Sequence, residues 1–139
     1  HTLPEQYYRR AEGAIVMYDI TNKQSYCDAS KWATEIKKKS YIKPVLVVVG
    51  NKGDLSKSRE VRNEEGVNLA YKLSSPTMVV SFFEASAKTG HSVVMAVNHL
   101  AQQMLRNENN EVEDVTQLHD QAAQRPKRSC KCWTRWSWK

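Results

Sequence analysis

The sequence has 139 residues, 40% of them apolar, with 21 Lys and Arg against 15 Asp and Glu. A chain of that size and composition builds one hydrophobic core, which excludes wholesale disorder and argues against two domains. Only five Gly and four Pro occur, so it is neither collagen-like nor low in complexity, and no apolar run approaches the ~20 residues that cross a bilayer.

Three apolar runs mark strands, each ending in polar residues. Ala14-Ile15-Val16-Met17-Tyr18 leads into Asp19, and Val45-Leu46-Val47-Val48-Val49 leads into Gly50-Asn51-Lys52. Both are continuously apolar and β-branched, as expected of strands covered on both faces. Ser81-Phe82-Phe83-Glu84-Ala85 is weaker and suits an edge; it leads into Ser86-Ala87-Lys88.

Helical spacing fills the intervals. Tyr26, Ala29, Ala33 and Ile36 recur on one face with Trp32 beside them, and Thr21-x-x-Gln24 offers a capping box. Val67, Leu69, Ala70, Tyr71 and Leu73 mark a second helix with Asn63 as its expected cap. Val93, Ala96, Val97, Leu100, Ala101, Met104 and Leu105 form the cleanest amphipathic stripe, after Ser92. From Asn107 to Gln124 the chain turns polar and acidic and is expected to fray into a linker. Strand and helix in alternation predict an α/β fold with three mainly parallel strands and flanking helices. The expected divisions are a body over 1–106, a polar linker over 107–124 and a basic tail over 125–139.

In open α/β sheets, ligands bind at the carboxyl ends of the strands. Asn51-Lys52-Gly53-Asp54 and Ser86-Ala87-Lys88 stand at two successive strand ends, which parallel pairing brings to one rim. The residue types suit a guanine base. Guanine presents N1–H and an exocyclic amine side by side, and Asp54 can accept both; adenine offers no such pair and would leave the carboxylate unsatisfied. Asn51 can meet the N7/O6 side and brace the neighbouring loop. Lys52 and Lys88 can lay their methylene stems along the faces of the base while their ammonium groups stay in water. The small Ala87 lets its backbone N–H approach O6, and Ser86 can hold the Asp54 carboxylate. An N-K-x-D string arises by chance in roughly one chain of this length in fifty, so its place at a strand end beside a second polar cluster counts for more than the string itself.

These residues resemble the small GTPases of the Ras superfamily, in particular the Rab and Ras-like branches. Asn51-Lys52-Gly53-Asp54 resembles the N-K-x-D motif, and Glu84-Ala85-Ser86-Ala87-Lys88 resembles E-x-S-A-K. Tyr7-Tyr8-Arg9, Tyr18-Asp19-Ile20-Thr21, Trp32 with Glu35-Ile36, and Arg59-Glu60-Val61 extend the likeness over about residues 3 to 105. The resemblance implies the C-terminal portion of a P-loop small-GTPase fold, with Glu5 to Arg9 in the helix after the second switch segment. It implies guanine binding by Asn51, Lys52, Asp54, Ser86, Ala87 and Lys88, and GTP and GDP as ligands. Exchange factors, GTPase-activating proteins and effectors are the implied partners of a switch in membrane traffic or signalling.

The phosphate-binding G-x-x-x-x-G-K-[ST] is absent, since glycines stand only at 13, 50, 53, 66 and 90; the magnesium-binding D-x-x-G is absent too. In this family both lie N-terminal to the first residue here, which is His rather than Met, so a fragment or processed product is expected. No catalytic residue is assigned, and Mg²⁺ is expected only in a full-length parent. Phosphates and Mg²⁺ carry much of a nucleotide's binding energy, so these residues alone are expected to bind it weakly. The strand ending at Asp19 is expected to be an exposed edge. The alternative is a non-enzymatic interaction module, truncated or a pseudo-GTPase, anchored by its tail.

The tail carries the charge. From Arg125 onward there are six basic residues and no acid, so the remainder is balanced and nucleic acid is not expected as a partner. Cys130-Lys131-Cys132 resembles the C-x-C that Rab proteins carry for prenylation, but seven residues follow it here. Cys130 and Cys132 are therefore candidate lipidation sites only. Trp133, Trp136 and Trp138 among the basic residues suit an anionic membrane surface. With only Cys27 elsewhere, no disulfide framework is present; a cytoplasmic location, with access to the cytosolic face of membranes, is expected.

Overall fold

The computed structural model describes residue 7 and residues 9–42, 44–75 and 78–123, with the backbone alone over 109–123. Three strands form one parallel sheet in the order β1 (Gly13–Asp19), β2 (Val45–Asn51), β3 (Val80–Glu84). Helix α1 (Lys23–Lys39) joins β1 to β2, a 3₁₀ segment (Gly53–Ser58) and α2 (Asn63–Leu73) join β2 to β3, and α3 (Val93–Ala123) follows. The chain divides into two units, residues 1–107 and 108–139, and the packing below belongs to the first.

Register explains the central strand's unbroken apolar run. Successive β2 side chains point to opposite faces. Leu46 and Val48 join Val16, Tyr18, Ala33, Leu69 and Ala70 on the face covered by α1 and α2. Val47 and Val49 join Ala85 and Ala96 on the face covered by α3, where Phe83, Val93 and Leu100 also pack. β3 lies at one end of the strand order, as its weaker pattern suggested. β1 departs from expectation. Val16 and Tyr18 are buried, but Ile15 is 37% and Met17 53% exposed, so its other face is covered only near Gly13, where Leu100 and Met104 of α3 approach.

Helix starts also differ from the sequence reading. Thr21 does not cap α1; its hydroxyl and N–H both bond the Asp19 carboxylate, and Asn22 caps instead by accepting Ser25 N–H at 3.0 Å. Asn63 is the first residue of α2 rather than its cap. Arg62 holds the cap position, where Glu65 accepts its backbone N–H at 2.9 Å. The expected fraying from Asn107 is not seen: α3 continues to Ala123. No Gly or Pro interrupts the chain between Gly90 and Pro126, so polar composition alone does not end the helix. Of Glu5 to Arg9, Tyr7 and Arg9 are helical and the rest lie outside the described residues.

Gly66 sets how closely α2 approaches the sheet. A Cβ there would come within 2.3 Å of Phe82 Cε2 and 2.6 Å of the Tyr18 hydroxyl. Helix propensity favours Ala over Gly by about 1 kcal/mol, whereas overpacking a core costs about 1–3 kcal/mol. The clash decides the sign. Gly66→Ala is expected to lower the urea unfolding midpoint, and an unchanged or raised midpoint would show that α2 can move away.

Candidate functional site

Parallel register levels Asp19 with Asn51, and Gly50 with Glu84, so the carboxyl ends of all three strands meet at one rim. The backbone then stitches two loops together. Ala85 N–H donates to the Gly50 carbonyl at 2.8 Å, and Gly53 N–H donates to the Ala85 carbonyl at 2.9 Å. Lys52 turns the chain between them with φ 65° and ψ 36°, a left-handed conformation that costs an L-residue about 1–2 kcal/mol. That turn closes with Leu55 N–H on the Lys52 carbonyl at 2.8 Å.

The structure brings the residues singled out in the sequence to this rim. Ser86, buried to 2% exposure, donates its hydroxyl to Asp54 Oδ1 at 2.5 Å and accepts Thr89 N–H at 3.2 Å. Asn51 Oδ1 accepts Ala87 N–H at 3.0 Å, which braces one loop on the other. That N–H is therefore engaged by Asn51 rather than left open toward a base. Lys52, Asp54, Ala87 and Lys88 are exposed. The Lys52 ammonium does not stay simply in water: it pairs with Asp19 Oδ2 at 2.6 Å. Cys130 and Cys132, and the tail Trp residues, lie outside the described residues.

Electrostatics keep the rim carboxylates ionised. The hydrogen bond from Ser86 holds Asp54 below the usual aspartate range, helped by the charges of Lys88 and Lys52 against some desolvation. At Asp19, desolvation favours the neutral form, yet the bonds from Lys52 and Thr21 outweigh it and the carboxyl is lowered. An open cleft of about 360 Å³ is lined by Gly53, Asp54, Glu84, Ser86, Thr89 and His91, so of the residues singled out in the sequence only Asp54 and Ser86 line it.

Sequence reasoning missed the supports beneath this rim. Arg59, at the end of the 3₁₀ segment, grips Glu84 in a fork at 2.8 and 2.6 Å, and Asn63 adds a bond at 3.2 Å. The loop carrying Asp54 is thereby tied to the strand that leads to Ser86. Asp19 is a second omission; an Asp two residues before a Thr at a strand end is the available signal, since that spacing favours a local side-chain turn. The fork from Arg59 holds the Glu84 carboxyl below its ordinary value of 4.5. Its stabilisation is whole above that value and is lost as pH falls through the lower folded value. Glu84→Gln is expected to cost about 1–2 kcal/mol at neutral pH and to flatten the acid limb of stability. Unfolding free energies from roughly pH 3 to 6 check this, and parallel pH curves for the two proteins would refute it.

Residues 1–106 match the model of the Ras family. The chain belongs to the Ras family. Within it the chain is a Rab-like small GTPase sequence, and its three parallel strands with flanking helices agree with part of the Ras-like P-loop fold. Ras-related protein Rab-37 of Homo sapiens is 35% identical over 127 residues, which are 91% of this chain and 55% of that protein. Ras-related protein Rab-3B of Homo sapiens is 43% identical over 99 residues, 71% of this chain and 43% of that protein. EF-hand calcium-binding domain-containing protein 4B of Homo sapiens is 33% identical over 128 residues, 92% of this chain but 16% of that protein. The chain thus spans about half the length of the Rab relatives it matches.

Proposed function

We propose that the rim formed by Asn51–Asp54 and Ser86–Lys88 reads the guanine base of GTP or GDP, and that the whole protein is a GTP-hydrolysing switch of membrane traffic or signalling. The observation that carries the reading is the 2.5 Å bond from buried Ser86 to Asp54, which orients an exposed, ionised carboxylate at the strand ends. Asp54 accepts guanine N1–H and the exocyclic amine. Asn51, its Oδ1 committed to Ala87 N–H, keeps its amide nitrogen as a donor for the N7/O6 side. Lys52, drawn toward Asp19, and Lys88 flank the base with their stems.

Through the Ras-family resemblance, Mg²⁺ and the phosphate contacts are assigned to a longer protein; among the described residues no group of three or more His, Cys, Asp or Glu stands together. Exchange factors, activating proteins and effectors belong to this reading through the Rab resemblance. Among the described residues no helix is long and apolar enough to cross a membrane. Peripheral attachment at a cytosolic face is assigned to the tail, through Trp133, Trp136 and Trp138 with their basic neighbours, and through Cys130 and Cys132 if these are prenylated.

Base recognition without phosphate contacts is weak but selective. In NMR titrations of the chain, millimolar GDP is expected to shift the amides of Asn51, Asp54 and Ala87, and ADP to leave them unmoved. Equal responses to both nucleotides would overturn guanine reading, and submicromolar GDP binding would overturn the assignment of the phosphate energy to other residues.

A further inference from the structure

The opposite end of the sheet carries a surface that base recognition does not use. Helix α1 closes on Lys37, Lys38 and Lys39, and the connection to β2 then presents Tyr41 at 77% and Ile42 at 43% exposure. The Arg9 guanidinium lies 5.4 Å over the Tyr41 ring, and Arg10 beside it is exposed. Lys43 follows in the sequence. The connection enters β2 at Val45, whose N–H bonds the Glu12 carbonyl, so it sits at the amino ends of the strands, away from the rim at Asn51.

Some of this charge is already spent. Lys37 donates to the Leu73 carbonyl at 2.7 Å, and Lys39 pairs with Glu35 at 2.5 Å. Among the described residues Glu12 is an exposed acid nearby. Among the described residues Lys38 and Arg10 still outnumber that acid, and the connection presents an aromatic and an aliphatic side chain outward. An acidic peptide would be held by a groove with convergent donors. Here a tip projects Tyr and Ile with cations around them, which suits a soft layered surface: Tyr settles at headgroup depth, and Lys and Arg meet anionic lipid.

We infer that the Tyr41–Ile42 connection, with Lys38 and Arg10, is a peripheral docking surface for an anionic bilayer on the body of the protein. It uses no residue of the tail and does not rest on the guanine reading. Docked in this way, the base rim faces away from the lipid by about the length of a seven-residue strand, roughly 20 Å.

Vesicle flotation tests this, because aggregated protein sinks while lipid-bound protein rises. The 139-residue chain carrying Trp133→Ala, Trp136→Ala and Trp138→Ala is mixed with vesicles of phosphatidylcholine alone or with phosphatidylserine added. It is expected to float with the anionic vesicles, less so at high salt, and not with neutral ones. Adding Tyr41→Ser and Ile42→Ser, or separately Lys38→Glu and Arg10→Glu, is expected to lower the apparent vesicle affinity, read from flotation over a lipid series, at least about fivefold, the scale of one basic contact. Far-UV circular dichroism accompanies each variant, and if one pair of substitutions unfolds the chain the other pair decides. Unchanged flotation in the substituted chains overturns the proposal, as does equal binding to neutral vesicles. Capture by polyglutamate with no flotation overturns it as well, and assigns the surface to an acidic protein. Loss of flotation on the tail substitutions alone, with no further loss from the loop ones, leaves the tail as the whole attachment.

Discussion

Asp54→Asn is expected to move nucleotide preference from guanine toward xanthine. In the proposed base site the wild-type carboxylate accepts two adjacent donors, N1–H and the exocyclic amine. An Asn places an amide N–H opposite the amine, which is a donor against a donor, and one bond is lost outright. Xanthine carries an oxygen where guanine carries the amine, so the same amide N–H finds an acceptor. Sites that pair every polar group of a ligand discriminate by large factors, because the wrong partner leaves groups unsatisfied; a change of at least about a hundredfold in the guanine-to-xanthine ratio is the expected scale. The fold around the site should survive, since Asn keeps a carbonyl oxygen to accept the Ser86 hydroxyl now bonded to Asp54. Competition between xanthosine and guanosine diphosphates, measured on the chain joined to the upstream half of a Rab relative, reads the ratio. An unchanged ratio would remove Asp54 from the base site.

Ser86→Ala separates positioning from contact at the same place. It deletes the hydroxyl that lowers the Asp54 carboxyl and accepts Thr89 N–H, but it touches no atom of a base in this reading. Guanine affinity is expected to fall in the same competition measurement while the guanine-to-xanthine preference stays, the opposite pattern to Asp54→Asn.

What the sequence made legible, and what it hid, divides along a physical line. Features that follow from local composition were readable: the apolar β2 run and the polar residues at its carboxyl end. Among roles that depend on a distant side chain, the Ser86–Asp54 bond was legible because parallel strands bring their two polar ends to one rim, and the others were not. Asp19 stands in the sequence as the end of a strand, and only the sheet brings it to Lys52. Arg59 carries no signal that its partner is Glu84, because a lone Arg after a turn is usually solvated. Thr21 illustrates competition rather than distance. It fits a capping box by spacing, yet the Asp19 carboxylate two residues away takes its hydroxyl, and the neighbouring Asn22 caps the helix. Coverage of β1 was misjudged for a further reason: a continuous apolar run records what a strand is suited to touch, not which faces are in fact covered.

That uncovered strand has a consequence. Among the described residues β1 pairs only with β2, so its other edge presents backbone N–H and carbonyl groups with no strand beside them. Ile15 and Met17 stand exposed on one face of the same strand, and its only charged residue is Asp19 at the very end. Natural edge strands are usually blunted by a lysine, a bulge or a proline, and β1 has none of these along its length. The isolated chain is therefore expected to self-associate, by edge-to-edge pairing that also buries the apolar face. Sedimentation velocity at tens of micromolar should show dimers and larger species. Met17→Lys places a charge on the exposed face without touching Val16 or Tyr18, which point into the core. It is expected to raise the concentration for association by about tenfold or more, while Val67→Lys, on the exposed side of α2, should not. A monomeric wild-type chain at these concentrations would mean that the edge is protected by some other part of the sequence. Equal effects of the two lysines would mean that net charge, rather than the open strand, controls association.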